Sequence, residues 1–555
     1  MALTKLHDRM IANSPIDVMD YGADNTGATD SLAAIQLAVD AMSNGSTIVF
    51  PEGNYSISDQ VTFDTSNITV IGRKAKITQT GSNKRSFYFD TLTYIEVYGF
   101  NMYGKGSSDF DGGNTSAGVN GAAFWFDTCS GLDVHDNYIQ NHAGGHIRMR
   151  YNCSNSRVTN NRVVGIGTAG GIVSGDNDVD VGVDFREAGV GLLQNVVISG
   201  NDISDTCFGI FVSHGDGVVI SSNTVRSIPG QHGIYNSTCS NMVISGNTFE
   251  NIALLGIKAQ QLKSSGGIFY NYSVTGNVIN NAQSGIVFED ASGLAVGTTY
   301  TEGVSITGNT ITNLTTNYGM SLDGVKQLNV VGNVIDRCGA QGIYIRNCGL
   351  TTVSSNQIYN AGANGIWAFD LIDDIVISNN LIKDAVQNYD AATSTSGSYY
   401  YYVFVDVDAA ATKVPLCFFQ DNTLIIEAAT PTLFASNGKC FRALVGVNVY
   451  WMNNTNLTTK AWQIDATDLK HMDIGHSPNV DFTSGGSASP TTPIYGRGHR
   501  NVYGTQDPAS ASMTDTFDRG DICWNATPSA SGTIGWVCTT AGTPGTWKTF
   551  GTIAT

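Results

Sequence analysis

VVISGN at residues 196–201, VVISSN at 218–223 and MVISGN at 242–247 are three copies of one phrase, a β-branched strand that ends in Ser or Gly and then Asn. Outward from these copies the phrase continues as YSVTGN, VSITGN, LNVVGN, TVSSN and IVISNN, and its last Asn falls at 137, 161, 201, 223, 247, 277, 309, 333, 356 and 380. The steps are 24, 40, 22, 24, 30, 32, 24, 23 and 24 residues. A fixed short period with occasional insertions marks a solenoid whose coils stack along one axis.

A second phrase shares the period. FGIFVS, HGIYNS, LGIKAQ, SGIVFE, YGMSLD, QGIYIR and NGIWAF each carry Gly second and then alternate apolar with polar or aromatic residues. Alternation puts Ile, Val and Phe inside and their neighbours outside. It predicts two strands per coil, with an Asn at a fixed corner that adopts the left-handed conformation and hydrogen-bonds to its counterpart in the next coil. The Leu-dominated consensus of leucine-rich repeats is absent. The pattern therefore points to a parallel β-helix, an all-β solenoid.

Composition agrees. At 555 residues the chain exceeds one ordinary compact domain, and 63 Gly with only 14% charged residues suit strands and tight turns. Lys plus Arg number 29 against 47 Asp plus Glu, a net charge of −18. That balance opposes attraction to nucleic acid or anionic lipid, so neither is expected as a partner. The opening MALTKLHDRMIANSPI lacks the apolar core of a secretion signal, and no apolar run is long enough for membrane insertion. The ten cysteines have neither CxxC pairs nor a zinc-type His spacing, and most are expected to be reduced, buried small hydrophobes. Neither an EF-hand loop nor a nucleotide-binding glycine motif occurs, so no metal and no cofactor is expected.

Upstream of the repeat, Ser31 to Asn44 predicts a helix with Asp30 as N-cap, an apolar face of Leu32, Ile35, Val39 and Met42, and Gly45 as its stop. Such a helix caps the first coil, and STIVFPEGNYSIS after it reads as strand, turn and strand. The segment DVMDYGADNTGATDSLAAIQLAVDAMSNGSTIVFPEGNYSIS, residues 17–58, resembles the N-terminal motif of the pectate-lyase-like superfamily, especially bacteriophage tailspikes and capsular polysaccharide depolymerases. The resemblance implies a right-handed parallel β-helix and, in phage members, a parallel homotrimer. Residues 520–551, GDICWNATPSASGTIGWVCTTAGTPGTWKTFG, are similar to the Trp-, Gly- and Thr-rich ends of phage spikes and fibres. There they imply a small β-domain for trimerisation or receptor contact, in which Cys523 and Cys538 could lie close without a disulfide being expected. The expected organisation is an N-terminal segment 1–16, an entry and capping motif 17–58, β-helix 59–483, a linker 484–493 (SGGSASPTTP) and a C-terminal β-domain 494–555.

Candidate chemistry follows from the Gly-led strands, whose second and fourth residues after Gly should point outward. The fourth positions run Arg186, Ser213, Ser237, Gln260, Glu289, Asp323, Arg346 and Phe369, and the second Asp184, Phe211, Tyr235, Lys258, Val287, Ser321, Tyr344 and Trp367. Glu289 and Asp323 sit on consecutive coils, which at about 4.8 Å per strand places their carboxylates roughly 5 to 8 Å apart. That suits glycoside hydrolysis, one carboxyl donating the proton and the other serving as base or nucleophile. Tyr344 and Trp367 would stack on sugar rings, with Arg346, Lys258, Arg186 and Asp184 as polar contacts. Insertions at about 261–271 and 290–303 would wall the groove. The same row also fits an exposed ion-pair ladder.

A second constellation, Arg148, Arg150, Asp184, Arg186 and Glu187, lies around the 40-residue step and suits an acidic sugar. His214 reads as a loop residue. Together with the resemblance, these residues imply a phage tailspike that binds a bacterial capsule or O-antigen and cleaves it internally by hydrolysis. It would be made in the host cytoplasm and act from the virion tail, joined to the tail or baseplate through an adaptor. The alternatives are a lyase acting on a uronate-containing glycan and a noncatalytic receptor-binding spike; the missing secretion signal weakens a pectin- or cell-wall-modifying enzyme outside phage.

Overall fold

The computed structural model describes residues 14–82, 84–106, 121–142, 144–165, 170–174, 192–261, 269–290, 301–386, 401–407, 415–425, 439–443, 448–452, 454–456, 469–473, 501–511 and 517–554. Two compact units divide the chain, Met1–Cys348 and Gly349–Thr555.

The first unit opens with a 3-10 turn, Val18–Tyr21, whose cap is the Asp17 carboxylate accepting the Met19 N–H at 2.9 Å. The helix Leu32–Asp40 follows, shorter than predicted. The N-cap is Ser31, not the predicted Asp30, which from one residue earlier accepts the Leu32 N–H at 3.0 Å; Ile35, Ala38, Val39 and Met42 are buried. The helix stops early because Ser43 and Ser46 close a local turn, the Ser46 hydroxyl accepting the Ser43 N–H at 2.9 Å, with Gly45 left-handed at φ +86°.

Parallel pairing then carries each coil onto the next, and each coil holds three strands, not two. Strand Met242–Ser245 pairs with Val219–Ser221 and Phe269–Thr275. After the Asn247 corner, Thr248–Gln261 pairs with both Thr224–Ile228 and Ile234–Ser237 of the preceding coil, so it is two strands run together. The short strand after each Asn escaped the sequence reading because it is too brief to show an alternation: Val225, Phe249, Ile279, Ile311 and Ile335 stack in one column, with Ile228, Ile252 and Ala282 buried three residues further on. A second column runs Ile198, Ile220, Ile244, Val274, Ile306, Val330, and a third Ile210, Ile234, Ile257, Ile286, Met320, Ile343, all buried. Each such side chain contributes about 1.5–3 kcal/mol of burial, so the core grows with every coil. Near the entry, Phe63, Phe89 and Phe126 stack at 4.5 and 4.8 Å.

The corner Asn residues form the expected ladder. Asn223 donates its backbone N–H and its Nδ2 to Asn247 Oδ1, both at 3.0 Å, and Nδ2 also to the Ile198 carbonyl at 2.9 Å. The left-handed residue, however, is the one before the Asn: Asp136, Asn160, Gly200, Ser222, Gly246, Gly276, Gly308 and Gly332 all have positive φ. This explains the Gly of the SGN, TGN and VGN endings, since Gly meets no Cβ penalty there. Left-handed Asn residues do ladder at another corner, where Asn271 (φ 59°) donates to Asn241 (φ 51°) at 2.8 Å.

Within the second unit, strands from Thr351–Ser354 to Leu469–Asp473 repeat the architecture, with Asn356, Asn380, Asn422 and Asn454 as its ladder. A separate sheet pairs Asn501–Gly504 in parallel with Ile522–Asn525, then adds Thr533–Thr540 and Thr546–Thr552 antiparallel. Phe517, Cys523, Cys538 and Trp547 make its core. Cys523 and Cys538 are thiols there, not a disulfide, and the nine cysteines whose side chains are described are all buried. No helix among the described residues is long and apolar enough to cross a membrane. The linker 484–493 lies outside the described residues.

Candidate functional site

The Gly-led strands stack in the register expected. Ser213, Ser237, Gln260 and Glu289 pair in sequence, and Asp323 pairs with Arg346. Phe288 pairs with Leu322, so Glu289 and Asp323, each one residue further along, occupy adjacent coils. The neighbouring outward row is Phe211, Tyr235, Lys258, Val287, Ser321 and Tyr344. Inward neighbours such as Ile257 and Ala259 are fully buried, whereas Lys258, Glu289, Asp323, Tyr344 and Arg346 are half-buried.

Each acid of the pair has its own cation. Lys258 Nζ is 2.7 Å from Glu289 Oε1, and Arg346 is 3.9 Å from Asp323 Oδ2. Asn347 donates to the other Asp323 oxygen at 2.9 Å. Across the coils the charges therefore run positive, negative, negative, positive. Such a row can bind hydroxyl-rich or charged ligands, and its central acid pair has the composition that glycoside hydrolysis needs.

Aromatic rings flank this row on both sides. Tyr235 lies 5.0 Å from Phe211, 6.0 Å from Phe208 and 5.4 Å from His232, with Lys258 Nζ 5.0 Å above its ring and Gln260 accepting from its hydroxyl. His232 Nδ1 accepts the Leu255 N–H at 3.3 Å, which places its proton on Nε2. Burial, with Lys258 nearby, pushes His232 down to about 3, so it stays neutral. Beyond the acids, Tyr318 stacks on Tyr344 at 5.2 Å. Tyr318, Phe208 and His232 were missed by sequence reasoning because they precede the Gly and fall outside the strand alternation; the aromatic residue just before Gly in FGI, HGI and YGM was the available signal.

Other expected residues fall elsewhere. Trp367 lies on strand Ile366–Leu371 of the second unit, beside Phe369 at 5.7 Å and Phe404 at 5.9 Å. Asp184, Arg186 and Glu187 are outside the described residues, and the Gly-led strand of their coil is Gly170–Ser174, which pairs with Ile147–Arg150 and Phe208–Ser213. Most of the two groove-walling insertions, 262–268 and 291–300, is likewise outside the described residues.

Arg148 and Arg150 are buried around Trp125, their guanidinium carbons 4.2 and 5.3 Å from its ring, with Arg85 at 3.9 Å. Trp125 Nε1 and the Tyr88 hydroxyl donate to the two Asp127 oxygens at 2.8 and 3.2 Å. His214, between two strands, is buried beside Ser213.

Two family profiles match the chain. One described as right handed beta helix region matches residues 180–299 and 262–404; one described as rhamnogalacturonase A/epimerase, pectate lyase-like, matches residues 15–183. No curated protein matches. Among solved structures, the pre-mature bacteriophage phi29 gene product 12 is 13% identical with a TM-score of 0.51, covering 81% of this chain and 72% of its own. The Dettilon tailspike protein is 14% identical, TM-score 0.43, covering 68% and 67%. An exopolygalacturonase from Thermotoga maritima is 13% identical, TM-score 0.44, covering 67% and 87%. At these identities the likeness is one of fold.

Proposed function

We propose that this chain, a pectate-lyase-like right-handed β-helix, is a tailspike that binds a bacterial surface polysaccharide and cleaves it internally by glycoside hydrolysis. The observation that carries this reading is the acid pair Glu289 and Asp323, on adjacent coils and flanked by Tyr235 on one side and the stacked Tyr318 and Tyr344 on the other. Aromatic faces pack against sugar C–H faces, and a row running along successive coils follows an extended polymer. Glu289, with the closer cation, takes the charged role of base or nucleophile, and Asp323 donates the proton to the leaving oxygen. A homotrimer displayed on the virion tail fits the resemblance of the N-terminal motif.

The test is digestion of capsules and O-antigens from a strain panel, following chain length, new reducing ends and the absorbance of an unsaturated uronate. New reducing ends without that absorbance support hydrolysis; the absorbance would make the protein a lyase, and binding without shortening would make it a receptor-binding spike.

A further inference from the structure

Three ligand-type side chains converge on a different face of the first unit. Strands Thr93–Tyr98 and Ser130–His135 pair Glu96 directly with Asp133. Like charges opposite one another in a sheet are destabilising unless something bridges them. Asp133 has Arg157 at 2.5 Å, whereas Glu96 has no Lys or Arg at ion-pair distance among the described residues; Thr69 donates to its Oε2 at 3.2 Å, and its Oε1 faces His135 Nε2 at 3.5 Å.

The orientation of His135 sharpens the point. Its ring stacks on Tyr98 at 4.8 Å and 11°, and its Nδ1 meets the Asp136 carboxylate at 2.7 Å. With Nδ1 held by the Asp136 carboxylate, the Nε2 edge of the ring faces Glu96 Oε1. Nε2 and Oε1 are both ligand-type atoms, and a cation seated between them would be shared by both. A carboxylate holding the far nitrogen is also how metal-bound histidines are oriented.

We propose that Glu96, Asp133 and His135 form a transition-metal site that takes Zn²⁺. One ligand atom from each lies within 4.8 Å of the others. Zinc bonds of about 2.0–2.2 Å in tetrahedral geometry set ligand atoms roughly 3.3–3.6 Å apart, which the His135 to Glu96 separation already meets. The imidazole selects zinc over calcium, which takes oxygen ligands. A solvent-open depression of about 510 Å³ lined by Thr69, Glu96, Asp133 and Arg157 leaves room for water as the fourth ligand. The ligands come from two coils, which is why no local metal motif is present in the sequence. Bound metal would staple these coils together, independently of glycan cleavage.

The test is calorimetric titration of the chelator-treated full chain with ZnCl₂, alongside Glu96→Gln, His135→Gln and Asp136→Asn, with circular dichroism of each metal-free variant. One zinc per chain is expected, bound at least tenfold more weakly by the first two variants and less severely weakened by the third, with CaCl₂ giving no comparable heat. X-ray absorption of the zinc-loaded wild-type chain should show one imidazole among oxygen ligands, a readout that needs no variant to fold. No zinc uptake by the wild-type chain, uptake retained by both ligand variants, or a spectrum without imidazole would overturn the site.

Discussion

Lys258 Nζ lies 2.7 Å from Glu289 Oε1 on the neighbouring strand, and on the far side of the acid pair Arg346 stands 3.9 Å from Asp323. The two carboxylates are thus held from opposite flanks. The close contact is a firm anchor for Glu289, because Lys258 keeps only 15% of its side-chain surface exposed.

Under the proposed hydrolysis, Glu289→Gln and Asp323→Asn should each lower the cleavage rate by about 10²- to 10⁴-fold, the range for loss of a positioned acid or base. Both substitutions keep shape and hydrogen-bonding capacity, so glycan binding measured by calorimetry should persist. Unchanged cleavage in both variants would remove the acid pair from the chemistry and leave it as a surface ion-pair ladder.

The Asn ladder makes a stability prediction. Asn277 donates to the Ile244 carbonyl and to Asn309 Oδ1, both at 2.9 Å, and its Oδ1 accepts two bonds from Asn247 at 3.0 Å. Asn277→Ala leaves several buried groups without partners, at about 1–3 kcal/mol each. Asn277→Asp should be worse, because it replaces donors with a buried charge facing two acceptors. Thermal midpoints should fall in the order wild type, Ala, Asp.

The same residues mark how far the sequence could be read. The Ile and Val alternation predicted the register from Phe211 to Arg346 because one face of each strand is buried and a one-residue slip would invert it. The third strand was hidden because it is three to five residues long with one or two inward side chains three residues apart, too short for a period of two to register. The left-handed corner was displaced by one residue because Gly and Asn stand side by side in SGN and both tolerate positive φ. Within the site, the acid pair and Lys258 lie in strand register and were legible. Their pairing as Lys258 with Glu289 was not, since contact between diagonal neighbours depends on side-chain rotamers rather than on spacing.

One buried group works against the fold. Asn236 points inward between Val212 and Ala259, is fully buried, and neither its Oδ1 nor its Nδ2 has a hydrogen-bond partner. Asn236→Val removes two unsatisfied polar atoms and continues the aliphatic column, so stability should rise by about 1–2 kcal/mol. A lowered thermal midpoint would mean that the amide is bound by an internal water.

The cysteines predict an alkaline limit. Burial pushes the thiols of Cys239, Cys348 and Cys417 from 9.0 up to about 12. In the folded chain they keep their protons where the unfolded chain has released them. Above pH 9 the unfolded state therefore binds fewer protons, and stability that is fully present below 9 declines as pH climbs towards about 12. Replacing all three with Ala removes their share of this dependence, leaving that of Cys129 and Cys153, while introducing small cavities, so the variant should start less stable than the parent at pH 8. The gap between their thermal midpoints should then narrow as pH rises to about 11, because only the parent carries the three linked ionisations. A gap that stays constant would show that these thiols ionise alike in the folded and unfolded chain, and hence that water reaches them.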